Sequence, residues 1–65
     1  MTQQQYTERR AQLISELIAL RKTNKFPRCI NHRIRQIAKL DYDYDGTPIE
    51  ETLKFFGYKP TVYHP

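Results

Sequence analysis

The chain has 65 residues, a single cysteine and a formal charge of +4, and 38% of its residues are hydrophobic. These numbers allow one small domain, exclude an internal disulfide and leave little apolar material for a core. A partner chain is therefore the expected source of extra stability.

The first predicted helix runs from about Thr2 to Thr23. Thr2 followed by Gln5 fits a capping box. Tyr6, Leu13, Leu17 and Leu20 form one apolar stripe, with Ala11, Ile14 and Ile18 beside it. The double width predicts two neighbours for this helix: the second helix of its own chain and a second subunit, making a dimer. The residues Asn24-Lys25-Phe26-Pro27 form a short link, so helices 1 and 2 are expected as an antiparallel hairpin.

The second predicted helix covers about Pro27 to Leu40. Ile30, Ile34 and Ile37, with Ala38, form its apolar stripe; Arg28, His32, Arg35 and Lys39 form the opposite one. The next position of the apolar stripe falls on Asp41, a charged residue, and the helix is expected to stop there. Residues 41–47 then read as an acidic loop. Thr47, Pro48 and Glu50 look like an N-cap, a first helical position and the closing residue of a capping box. A third helix follows over about Pro48 to Phe56, with Ile49, Leu53 and Phe56 on one face and Gly57 as its left-handed terminator. The tail, 57–65, carries two prolines and is expected to be extended. The expected fold is all-α: a helical hairpin, a short third helix and a tail, stabilised by dimerisation.

Charge is segregated along the chain. Between Glu16 and Asp41 every charged residue is basic: Arg21, Lys22, Lys25, Arg28, Arg33, Arg35 and Lys39, with His32 among them. From Asp41 to Glu51 every charged residue is acidic: Asp41, Asp43, Asp45, Glu50 and Glu51. The basic block predicts an anionic partner. The acidic block, with Tyr42 and Tyr44 interleaved, is a candidate protein contact.

The stretch Asp41-Tyr42-Asp43-Tyr44-Asp45-Gly46 resembles the first half of an EF-hand loop, which needs oxygen ligands at positions 1, 3 and 5 and glycine at 6. The second half departs from that pattern. Position 12 is Thr52 instead of a bidentate glutamate, Glu51 comes one residue early, and Pro48 occupies the usual hydrophobic position. Weak calcium binding over 41–52 is thus a minor alternative to a plain turn. Cys29 and His32 have the spacing of half a zinc site, but His64 is the one other histidine and no second cysteine exists. No cofactor and no metal are expected. Cys29 also lacks a visible orienting residue or oxyanion loop, so catalysis is not expected.

No positively charged region followed by an apolar run opens the sequence, and the apolar cluster within residues 13–20 is too short to cross a bilayer. A soluble cytoplasmic protein is the expectation, with no small-molecule substrate. In size and style the chain resembles small accessory proteins of bacteria and phages. Two functional readings follow. One is a non-enzymatic, self-associating interaction or adaptor module, with contacts at Leu13, Leu17, Leu20, Asp41, Tyr42, Asp43, Tyr44 and Asp45. The other is a nucleic-acid-binding accessory protein using Arg21, Lys22, Lys25, Arg28, His32, Arg35 and Lys39, with Asn31 and Gln36 placed to read base edges.

Overall fold

A computed structural model of the protein describes residues 1–23 and 27–59. It has three helices: α1 (Gln3–Thr23), α2 (Pro27–Asp45) and α3 (Ile49–Phe55). No strand occurs among the described residues, so the fold is all-α. The link around Lys25 and the tail beyond Lys59 lie outside the described residues.

The start of α1 forms as its sequence dictates. Thr2 Oγ1 accepts from the Gln5 amide at 3.1 Å, and Gln5 Oε1 accepts from the Thr2 amide at 3.0 Å. This reciprocal pair satisfies two amides that a helix start would otherwise leave open. Helix α2 packs against both α1 and α3. Its contacts with α1 run in opposite sequence order: Asp41 meets Arg10, and Arg33 meets Glu16 at 3.0 Å. Leu13 and Leu17 from α1 and Ile34 and Ile37 from α2 are the fully buried core, with Ala38 beside them. Each such aliphatic side chain contributes about 1.5–3 kcal/mol of burial. Ile14, Ile30, Leu40, Leu53, Phe56 and Tyr58 pack around these four.

The acidic segment differs from the expected loop. Helix α2 continues through it to Asp45 and ends at Gly46, whose φ of +76° is a left-handed conformation natural to glycine. The expected stop at Leu40 assumed that a charged residue cannot occupy the apolar stripe. Asp41 does occupy it, only 5% exposed, because partners on two other helices satisfy its carboxylate.

The start of α3 also differs. Pro48 is its N-cap residue and makes no side-chain cap bond. The expected cap, Thr47, instead gives its backbone N–H to Asp45 Oδ1 at 2.9 Å, and its hydroxyl to the same oxygen. The end of α3 is as expected. Gly57 (φ +72°) donates to the Lys54 carbonyl, and the Tyr58 amide reaches back to Leu53 at 2.9 Å. This pair of bonds is a Schellman closure, and it turns Tyr58 back over the bundle.

Candidate interaction surface

The buried polar cluster comes first, because it positions everything around it. Asp41 Oδ1 accepts from the Tyr6 hydroxyl at 2.6 Å and from Arg10 Nε at 3.0 Å. Its Oδ2 accepts from Arg10 Nη2 at 3.4 Å and from Thr52 Oγ1 at 3.1 Å. Tyr6 and Arg10 belong to α1, Asp41 to α2 and Thr52 to α3, so one carboxylate joins three helices. Burial and the bond to Asp41 push the Tyr6 phenol up to about 12. The Arg10 guanidinium is held above its ordinary value, chiefly by its hydrogen bond to Asp41. Tyr44 stacks flat on Tyr6 with ring centroids 4.0 Å apart, and Arg10 lies 5.8 Å from the Phe56 ring centre.

The segment that resembles a calcium loop is helical as far as Asp45. Asp41, Asp43 and Asp45 sit on a helix, which puts Asp41 and Asp45 on one face and turns Asp43 away from them. The four lone-pair positions of Asp41 already have donors. Asp45 is occupied by Thr47, and that side-chain bond, with the backbone bond next to it, holds its carboxyl below the usual range. Among the described residues no group of three histidine, cysteine, aspartate or glutamate side chains is arranged to hold a metal ion. Cys29 and His32 are both exposed on α2.

Several residues expected at a contact surface lie elsewhere. Leu13 and Leu17 are buried within the chain, and Leu20 is half-buried. Asp41 is interior. Tyr42, Asp43, Tyr44 and Asp45 are exposed, although one face of Tyr44 covers Tyr6. On the second α1 stripe Ile14 packs on the core, whereas Ala11 and Ile18 are exposed.

The basic stripe is where the sequence places it. Arg28, His32, Arg35 and Lys39 are all exposed along one line of α2. Arg21 and Lys22 are exposed at the end of α1; Lys25 lies outside the described residues. Arg21 and Arg35 are among the cations that also hold the fold. Arg21 donates to the Phe56 carbonyl, and Arg35 donates to the Tyr58 hydroxyl at 2.7 and 3.1 Å. The two amides expected to read base edges are engaged elsewhere. Asn31 is buried and donates to the Lys59 carbonyl at 2.6 Å, while Gln36 accepts from Arg33 at 2.8 Å.

Sequence reasoning missed the wall opposite this ridge. Helix α3 and the turn after it bring Ile49, Leu53 and Tyr58 beside α2. Two openings result: a polar cleft of about 350 Å³ lined by Arg28, Asn31, His32, Arg35 and Tyr58, and an apolar groove of about 560 Å³ lined by Arg35, Lys39, Tyr42, Asp43, Ile49 and Leu53. Arg35 borders both. The continuation of α2 past Leu40 creates the groove, since Tyr42 and Asp43 form its far end.

Compared with protein-family models, with curated proteins and with solved structures, the chain matches none. Among the described residues no helix is long and apolar enough to cross a membrane.

Proposed function

We propose that this chain is a small non-enzymatic interaction protein that docks on a macromolecular partner through the exposed ridge of α2. The observation that carries this reading is the continuity of Arg28, His32, Arg35 and Lys39 with an apolar groove walled by Ile49 and Leu53. Cations alone are usual on a solvated helix face. Cations bordering a preformed apolar groove combine electrostatic steering with a surface that gains by leaving water.

The charge layout of α2 adds to this. Its first turn carries Arg28 and no acid, and its last turn carries Asp43 and Asp45 and no base. Both ends oppose the helix dipole. The ridge cations and the positive end of the dipole therefore reinforce one another, and an anionic partner relieves both. Self-association belongs to the same proposal, with Ile18, 50% exposed, as the α1 contact in place of Leu13 and Leu17.

Nucleic acid is the second reading, favoured by the straight line of exposed cations on α2. Engagement of Asn31 and Gln36 within the fold leaves that line without flanking base-reading amides, so it supports phosphate contacts and not sequence readout.

Affinity capture with the wild-type chain and an Arg28→Glu/Lys39→Glu double variant tests the proposal. Ridge-dependent capture of a protein is expected. Ridge-dependent capture of nuclease-sensitive material supports the second reading. Capture indifferent to the double reversal overturns both. Sedimentation across the micromolar range tests self-association: a monomer throughout refutes it, and Ile18→Asp is expected to dissociate any dimer.

A further inference from the structure

We infer that the groove between α2 and α3 receives an acidic amphipathic segment of a partner protein, apolar side chains inward and carboxylates toward Arg35 and Lys39. This rests on the docking reading above and names the chemistry of the partner.

The lining of the groove is mostly apolar. Ile49 and Tyr42 remain 44% and 54% exposed, and Leu53 completes the wall between them. At about 560 Å³ it lies within the range of ordinary ligand sites and accommodates a few aliphatic or aromatic side chains. Its rim is charged. Arg35 and Lys39 stand on the α2 side, and among the described residues Lys39 has no ion-pair partner. Asp43 closes one end. A smaller opening lined by Glu50, Leu53, Lys54 and Tyr58 continues along α3, sharing Leu53 with the groove. An apolar segment flanked by acids fits this combination; a basic one would meet Arg35 and Lys39 directly.

The walls are held in place before any partner arrives. Thr52, next to Leu53, is bonded to Asp41; the Tyr58 hydroxyl is bonded to Arg35; and the Schellman closure fixes the end of α3. A preformed groove lowers the ordering cost of binding. Laying an amphipathic segment into such a groove is a recurring mode of peptide recognition.

Two other occupants fit less well. A nucleic acid gains its affinity from phosphate contacts, and the side chains of Ile49 and Leu53 offer phosphate no donor. The acidic segment of a second copy offers only Tyr42 as a freely exposed apolar side chain, because Tyr44 lies against Tyr6.

The test is selection of short peptides of unconstrained charge from a displayed library against the full chain, followed by binding and amide-shift mapping with the enriched peptides. Enrichment of sequences with apolar residues one helical turn apart, flanked by Asp or Glu, is expected, with shifts centred on Tyr42, Ile49 and Leu53. Ile49→Asp and Lys39→Glu should each weaken binding roughly tenfold or more while leaving the helical signal unchanged. Ile49→Asp adds an acid to the first turn of α3, where the helix dipole favours it. Failure to enrich any peptide overturns the inference. So does enrichment without acidic bias, binding indifferent to Ile49→Asp, or displacement of the peptide from the groove by a duplex oligonucleotide. If ridge-dependent capture of a partner persists when no peptide is enriched, the groove assignment fails and the docking reading stands.

Discussion

Thr52 Oγ1 donates to Asp41 Oδ2 at 3.1 Å, joining the first and twelfth residues of the segment whose spacing suggests a calcium loop. The two positions do meet, through a hydrogen bond between helices. With Tyr6 on the other oxygen and Arg10 on both, Asp41 makes a polar joint in a fold whose apolar core is four aliphatic side chains. Removal of that joint has consequences out of proportion to its size, since a domain of this length has about 3–10 kcal/mol of stability in total.

Asp41→Asn should cost about 2–4 kcal/mol, because it leaves Arg10 without its counter-charge and turns an amide donor toward groups that themselves donate. Thr52→Val should cost about 1 kcal/mol. Urea denaturation of both single variants and the double variant measures their coupling. If the two costs simply add, Asp41 and Thr52 do not act as one unit.

Tyr6 predicts a loss of stability in alkali. Its phenol ionises near 10 in the unfolded chain and near 12 when folded. The folded state therefore favours the protonated form. The stabilisation is complete below pH 10 and is lost as the pH rises from 10 to 12. In Tyr6→Phe this part of the alkaline loss should be absent. Equal alkaline slopes for the wild type and the variant would remove Tyr6 as its source.

Leu17 and Ile18 are adjacent in sequence, yet α1 buries the first to 1% exposure and leaves the second 50% exposed. Leu17→Ala should cost about 2–5 kcal/mol, through lost burial and the cavity it leaves. Ile18→Ala should fall within about 0.5 kcal/mol for the monomer. Leu17→Asp should unfold the chain and not merely dissociate it. Thermal melts at low concentration distinguish these outcomes.

Gly57→Ala should destabilise by about 1 kcal/mol. The cause is its φ of +72° and not crowding, since an added Cβ meets nothing closer than an Arg21 nitrogen at 4.0 Å. A melt that matches wild type would show that the Schellman closure carries no strain for alanine.

Calcium at millimolar concentration should leave the melting temperature and the amide signals of residues 41–52 unchanged, because α2 keeps the three aspartates on a helix. A shift confined to Asp41, Asp43 and Asp45 would contradict this arrangement.

The sequence by itself determined the three helices, the Thr2–Gln5 capping box, the Gly57 terminator, the core stripe of α2 and the exposed line of Arg28, His32, Arg35 and Lys39. All follow from short-range periodicity and from backbone groups that need partners within a few residues. One long-range signal was present but not used. Arg10 interrupts the apolar stripe of α1 between Tyr6 and Leu13, and Asp41 interrupts that of α2; two opposite charges out of pattern on facing stripes are a pair. Only the tertiary structure decided that Asp41 is interior, that α2 therefore runs on to Asp45, and that Ile49 and Leu53 meet Tyr42 across a groove. The reason is physical. A charged group in a core is tolerable only when its donors converge, and the donors of Asp41 come from residues 35, 31 and 11 positions away.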